Sequence, residues 1–127
     1  MVLRVASDHK RQVLDITTDV EAHLNGQGLA NVFLKHTTAA LTVADLDPGT
    51  DQDYLQALET MTPARSWRHP HDPPHFPDHL WSAVLGVSLT LPYKSGKLQL
   101  GSWQRLVLIE LDGPREREIE VSVIKCD

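Results

Sequence analysis

Read at a period of two residues, the stretch Trp103-Gln104-Arg105-Leu106-Val107-Leu108-Ile109-Glu110-Leu111 puts Leu106 and Leu108 on one face and Val107 and Ile109 on the other. A strand that is apolar on both faces needs cover on both sides. In 127 residues with few helices, that need predicts cover from another copy, hence a homo-oligomer. The flanking sequence reads as a meander. Val87 to Pro92 and Lys97 to Leu100 flank a Tyr-Lys-Ser-Gly turn, and Asp112-Gly113-Pro114 turns the chain into a last strand, Glu116 to Lys125.

Upstream, Gln12 to Thr17 reads as a strand, and Thr17-Thr18-Asp19 offers N-caps for a helix over Val20 to Leu24 that Asn25-Gly26 ends. Ala30 to His36 is a strand by composition, with Val32, Leu34 and His36 on one face. Leu41-Thr42-Val43 is a second extended piece. Pro48 opens a helix from Gly49 to Met61. Thr62 to Asp78 holds five of the eight prolines and three of the seven histidines, which predicts an ordered loop or lid. Asp78 caps a short helix, His79 to Leu85, that Gly86 stops. The expected fold is a single α+β domain over residues 1–127: a sandwich of mostly antiparallel β-sheets with two or three short helices.

The formal net charge of −5, with no Lys/Arg run longer than two, excludes nucleic acid as a main partner. The longest apolar runs are strand-sized, so no membrane partner is expected. The first residues lack a basic region followed by an apolar block, and Cys126 has no second cysteine to pair with. A cytoplasmic protein is expected. No phosphate loop, dinucleotide fingerprint or nucleophile elbow occurs.

Chemistry therefore rests on histidines and carboxylates. His36, His69 and His79 fall on three different elements that can converge, and three imidazoles with an open position suit a divalent metal, Zn or Mg. The competing reading makes His36 a core histidine bonded to backbone, and His71 and His75 solvated loop residues. Asp45 and Asp53 are candidate general bases, beside helix-start carboxylates favoured by the dipole alone. Gln104 and Glu110 bound the apolar stripe of the 103–111 strand, either as a pocket edge with Glu110 orienting a ring N–H, or as core hydrogen bonds.

Three motifs, His36-Thr37-Thr38-Ala39-Ala40-Leu41-Thr42-Val43, His79-Leu80-Trp81-Ser82-Ala83-Val84-Leu85-Gly86 and Gly96-Lys97-Leu98-Gln99-Leu100-Gly101-Ser102-Trp103-Gln104, precede an Asp112-Gly113-Pro114-Arg115 turn. In these the chain resembles the YjbQ-like family, also called the secondary thiamine-phosphate synthase family. The resemblance covers nearly the whole chain. It implies a trimer whose counterparts of His36, His69 and His79 line an intersubunit pocket, with a metal there in some members. It also implies thiamine-phosphate-synthase-like transfer, joining a pyrimidine diphosphate to a thiazole phosphate with release of pyrophosphate. The substrate would be a small phosphorylated heterocycle, and Gln104, Arg115, Arg117 and His75 are the substrate-binding candidates. The loop before His79 lacks the family's Asp-Asn pair and carries His75 in its place. A metal-dependent hydrolase and a non-catalytic metal- or ligand-binding module are the alternatives.

Overall fold

The computed structural model describes residues 1–70 and 72–126. In chain order it contains β1 (Val2–Ala6), β2 (Gln12–Asp15), α1 (Thr17–Glu21), β3 (Gly28–Leu34), β4 (Ala39–Ala44) and α2 (Thr50–Met61). A 3-10 turn at Pro73–His75 then leads into α3 (Phe76–Leu85), followed by β5 (Ser88–Lys94), β6 (Lys97–Leu98), β7 (Arg105–Glu110) and β8 (Glu116–Lys125). The strands form a five-stranded sheet, β1-β8-β3-β5-β6, and a three-stranded sheet, β2-β7-β4. Every pairing is antiparallel, giving the expected α+β sandwich.

β7 has two fully buried faces. Leu106 and Leu108 pack between the sheets with Val32, Leu34 and Ile119, while Val107 and Ile109 lie under the helices with Leu55, Leu58 and Trp81. The cover on both faces comes from this one chain. The two-faced strand thus carries no information about a partner, because α2 and α3 supply the outer layer that the reading assigned to another copy.

The element ends differ from the sequence reading in ways that matter for the site. α1 starts at Thr17 because the Asp15 carboxylate, two residues before the first of the assigned caps, accepts the Thr17 N–H at 3.0 Å. β3 stops at Leu34, so His36 lies beyond the strand. α3 starts at Phe76 with Pro77 in its first turn, which places Asp78 and His79 inside the helix. Trp103 and Gln104 precede β7, and Trp103 is exposed. β1 carries no strong sequence signal, since its outward residues Val2 and Arg4 are exposed; its ladder with β8 holds it in place. Among the described residues no helix is long and apolar enough to cross a membrane.

Candidate metal centre

The proline-rich segment folds back onto α3, and that fold brings three imidazoles together. One ring nitrogen from each of His69, His75 and His79 lies within 4.8 Å of the others. The His69 and His79 rings stack with centroids 4.8 Å apart, and His75 meets His79 edge-on at 5.2 Å. His75 and His79 stand four residues apart, the first on the 3-10 turn and the second in α3, so they share one side of this turn-to-helix unit. His71 lies outside the described residues.

The hydrogen bonds fix the tautomers of two of these rings. His75 Nε2 is 2.7 Å from Asp112 Oδ2. A carboxylate only accepts, so the proton is on Nε2 and Nδ1 keeps its lone pair. His79 Nδ1 donates to the Thr37 carbonyl at 3.0 Å, leaving Nε2 as the lone-pair nitrogen. A protein acceptor behind each ring is the usual arrangement for histidines that ligate a metal.

Asp112 is kept anionic. Burial works to raise its pKa, but hydrogen bonds from Lys10 and His75 outweigh that and hold it below the usual carboxylate value. Its two oxygens also take Lys10 Nζ at 2.8 Å and Arg115 Nη2 at 3.0 Å. Buried Asp78 accepts from Lys10 at 3.0 Å and Arg11 at 2.9 Å, and lies 3.3 Å from His75 Nε2. His75, Asp78 and Asp112 form a second cluster of ligand-type groups, but the Nε2 proton of His75 and the Lys10, Arg11 and Arg115 side chains already occupy its carboxylates.

The turn carrying Asp112 is clamped. A Cβ on Gly113 would sit 2.3 Å from the His9 carbonyl oxygen, and the Gly113 N–H donates to Lys10 O at 2.9 Å. Glu110 Oε2 accepts the Asp112 N–H at 3.1 Å, while both Glu110 oxygens face the Arg117 guanidinium. The Glu110–Arg117 pair is fully buried, and Arg117 also donates to the Thr38 carbonyl and hydroxyl. Burial pushes the Glu110 pKa up, but the Arg117 and Ser7 bonds and the Asp112 N–H prevail and hold it down.

Several sequence candidates sit elsewhere. His36 does not belong to the trio: its Nε2 accepts the Glu118 N–H at 2.8 Å, as the backbone-bonded alternative expects. His75 takes the third place. Asp45 and Asp53 are in neither cluster among the described residues; Asp53 is exposed on α2, and the Asp45 carbonyl accepts from Tyr54. Gln104 is exposed and accepts the Gly101 N–H, Arg115 is tied to Asp112, and Arg117 is sealed in its ion pair. Glu110 orients no histidine directly; it acts through the Asp112 turn. The sequence reading missed Asp112 and Asp78, although the Asp-Gly-Pro-Arg turn and the Asp four residues before Ser82 were signals in plain view. It also missed Arg65 and Arg68, which line a cavity of about 330 Å³ with Trp67, His69 and Phe76. Among the described residues neither arginine pairs with a carboxylate.

His36 supplies a pH prediction. Burial first, and Arg117 second, lower its pKa below the ordinary histidine value. The folded state thus favours neutral imidazole, while the unfolded chain takes up a proton near pH 6.5. Its contribution to stability is present above that pH and is lost as the pH falls through the depressed folded value. Urea midpoints measured from pH 7.5 to 5 are expected to fall more steeply for the parent than for His36→Gln, which keeps an acceptor for Glu118 N–H but does not titrate. Parallel profiles would contradict this.

Known proteins agree with the architecture. The family profile described as UPF0047 protein YjbQ-like matches residues 1–126. A UPF0047 protein of Archaeoglobus fulgidus is 34% identical over 126 residues, spanning 98% of this chain and 100% of the relative. The UPF0047 protein YjbQ of Salmonella typhimurium is 37% identical over 112 residues, spanning 80% and 81%. A crystal structure of a conserved hypothetical protein from Thermus thermophilus superposes with a TM-score of 0.89 at 38% identity, covering 98% of this chain and 99% of that one. With a match along its whole described length to one profile and one fold, the chain belongs to the YjbQ-like family of UPF0047 proteins.

Proposed function

We propose that the protein is a metal-dependent enzyme acting on a small molecule, with His69, His75 and His79 holding a divalent ion, zinc by preference. One observation carries this reading: three imidazole nitrogens lie within 4.8 Å of one another, and two of the rings are oriented from behind by Asp112 and the Thr37 carbonyl. Tetrahedral zinc at about 2.0–2.1 Å from each nitrogen needs them roughly 3.3 Å apart, so binding would draw the rings together. Three nitrogen ligands leave a fourth position open, where a bound ion supplies a hydroxide or polarises a substrate oxygen near neutral pH. The chain's own part is to fix the rings and keep Asp112 ionised behind His75. Hydrolysis of a small substrate is the reaction class that fits best.

A second reading is the thiamine-type transfer. Arg115 and Arg117 are both committed to carboxylates, so they offer little to a departing pyrophosphate. What favours this reading is Arg65 and Arg68 beside His69, two cations without carboxylate partners among the described residues.

Calorimetric titration of the purified, chelator-treated protein with Zn²⁺ is expected to give one site per chain with a dissociation constant of a micromolar or tighter. Millimolar or absent binding would sink the proposal. The zinc- and magnesium-loaded forms are then assayed with small ester and phosphoester substrates, and with the pyrimidine diphosphate and thiazole phosphate pair. Tight metal binding with no turnover in either assay would reduce the protein to a metal-binding module.

A further inference from the structure

Next to His79, with neither His69 nor His75 in its lining, lies a second feature that the metal reading does not use. A groove of about 550 Å³ lies between the end of β3 with the segment after it and α3, and Phe33, His36, His79, Ala83 and Val87 are among the residues that line it. Among the described residues its lining includes no carboxylate, although the chain as a whole is acidic. Lys35 lines it as well, and its ammonium comes no nearer than 4.0 Å to its only carboxylate neighbour among the described residues, Glu120.

The backbone fixes what His36 presents. A peptide N–H can only donate, so Nε2, which receives the Glu118 N–H at 2.8 Å, carries no proton. The neutral ring must then carry its proton on Nδ1. That N–H has no hydrogen-bond partner among the described residues, and His36 is partly open to solvent at the groove. The arrangement is a held N–H donor and a loosely paired ammonium above an apolar trough.

We propose that this groove binds a small organic acid with an apolar body, its carboxylate taking the Nδ1–H of His36 and the Lys35 ammonium, its body lying against Phe33, Ala83 and Val87. A neutral apolar molecule would leave the donor unpaired, and a bare inorganic anion would leave the apolar walls exposed to water. The groove meets the histidine trio only through His79, so an acid seated there lies next to the metal position without requiring a metal. Substrates or products of the centre are therefore expected to be hydrophobic carboxylic acids or their derivatives.

The test uses chelator-treated, isotopically labelled full-length protein at pH 7.5, with benzoate, acetate and benzyl alcohol as probes. Benzoate is expected to shift the His36 ring nitrogen and the Ala83 and Val87 amide signals saturably, at least tenfold more tightly than either acetate or benzyl alcohol. Ala83→Glu places a negative charge on an exposed helix position at the groove, and is expected to weaken benzoate at least tenfold with the fold intact. His36→Gln, which keeps an acceptor for the Glu118 N–H, should weaken it to a similar extent. Zinc affinity, measured separately, should be unchanged in Ala83→Glu. The proposal falls if benzoate binds no better than acetate, or if the His36 nitrogen shifts report a proton on Nε2. It also falls if sedimentation shows a second copy closing the groove while benzoate leaves its signals unmoved. Failure of zinc to bind the histidine trio would overturn the metal reading and leave this result standing.

Discussion

Arg117→Met is expected to destabilise the protein by about 3–5 kcal/mol, the range for removing one partner of a buried ion pair. Both side chains of the pair are shielded from water, at 1% and 0% exposure. Deleting the guanidinium leaves the Glu110 carboxylate buried with Ser7 and two backbone N–H groups as its only partners among the described residues, strips the Thr38 hydroxyl of its donor, and leaves the Thr38 carbonyl with the Leu111 N–H alone. A domain of this size has about 5–15 kcal/mol of stability in total, so the variant should sit near the edge of folding. The double variant Arg117→Met/Glu110→Gln has no orphaned charge, and its amide oxygen still accepts from the Asp112 turn. It should recover a measurable part of the loss. Urea denaturation of the parent and both variants checks this, and a loss under about 1 kcal/mol for Arg117→Met would show that the pair is not what holds the turn.

The same pair marks what was legible in the sequence. Period-two patterning in β7 and β8 and the helical run after Pro48 were enough for the α+β sandwich, because a buried strand and an amphipathic helix each write their burial into residue spacing. Glu110 and Arg117 sit on that spacing too, yet nothing local says that the two neutralise each other across a turn rather than facing a ligand. For the histidines the difficulty was similar. His36 follows the alternation of β3, and its backbone bond to β8, 82 residues away, has no trace in local pattern. His75 looked like a solvated loop residue because its fate depends on where a proline-rich segment docks. That is decided by α3 and by Asp112, 37 residues away. The turn signal Asp112-Gly113-Pro114 was read as punctuation, whereas its aspartate orients a ring in the candidate centre.

His79→Ala is expected to abolish zinc binding, with a loss of at least a hundredfold, because His79 is central to the trio: it stacks on His69 and meets His75 edge-on. Asp112→Asn is the milder and more informative change. The amide keeps the size of the carboxylate but no longer holds its charge behind His75, and substitutions of such orienting groups weaken a metal site about 10- to 100-fold. Asp112 also receives Lys10 and Arg115, so a stability measurement must accompany the titration. A loss of affinity with an unchanged urea midpoint separates ring orientation from folding. The pH dependence gives an independent check. Metal competes with protons for imidazole nitrogens, so zinc affinity should fall as the pH is lowered from about 8 to 5. A cluster that instead bound phosphate through protonated rings would strengthen over the same range. Zinc and phosphate titrations between pH 5 and 8 thus point in opposite directions for the two chemistries. If His79→Ala binds zinc as the parent does, the three histidines are packing residues and the metal centre is ruled out.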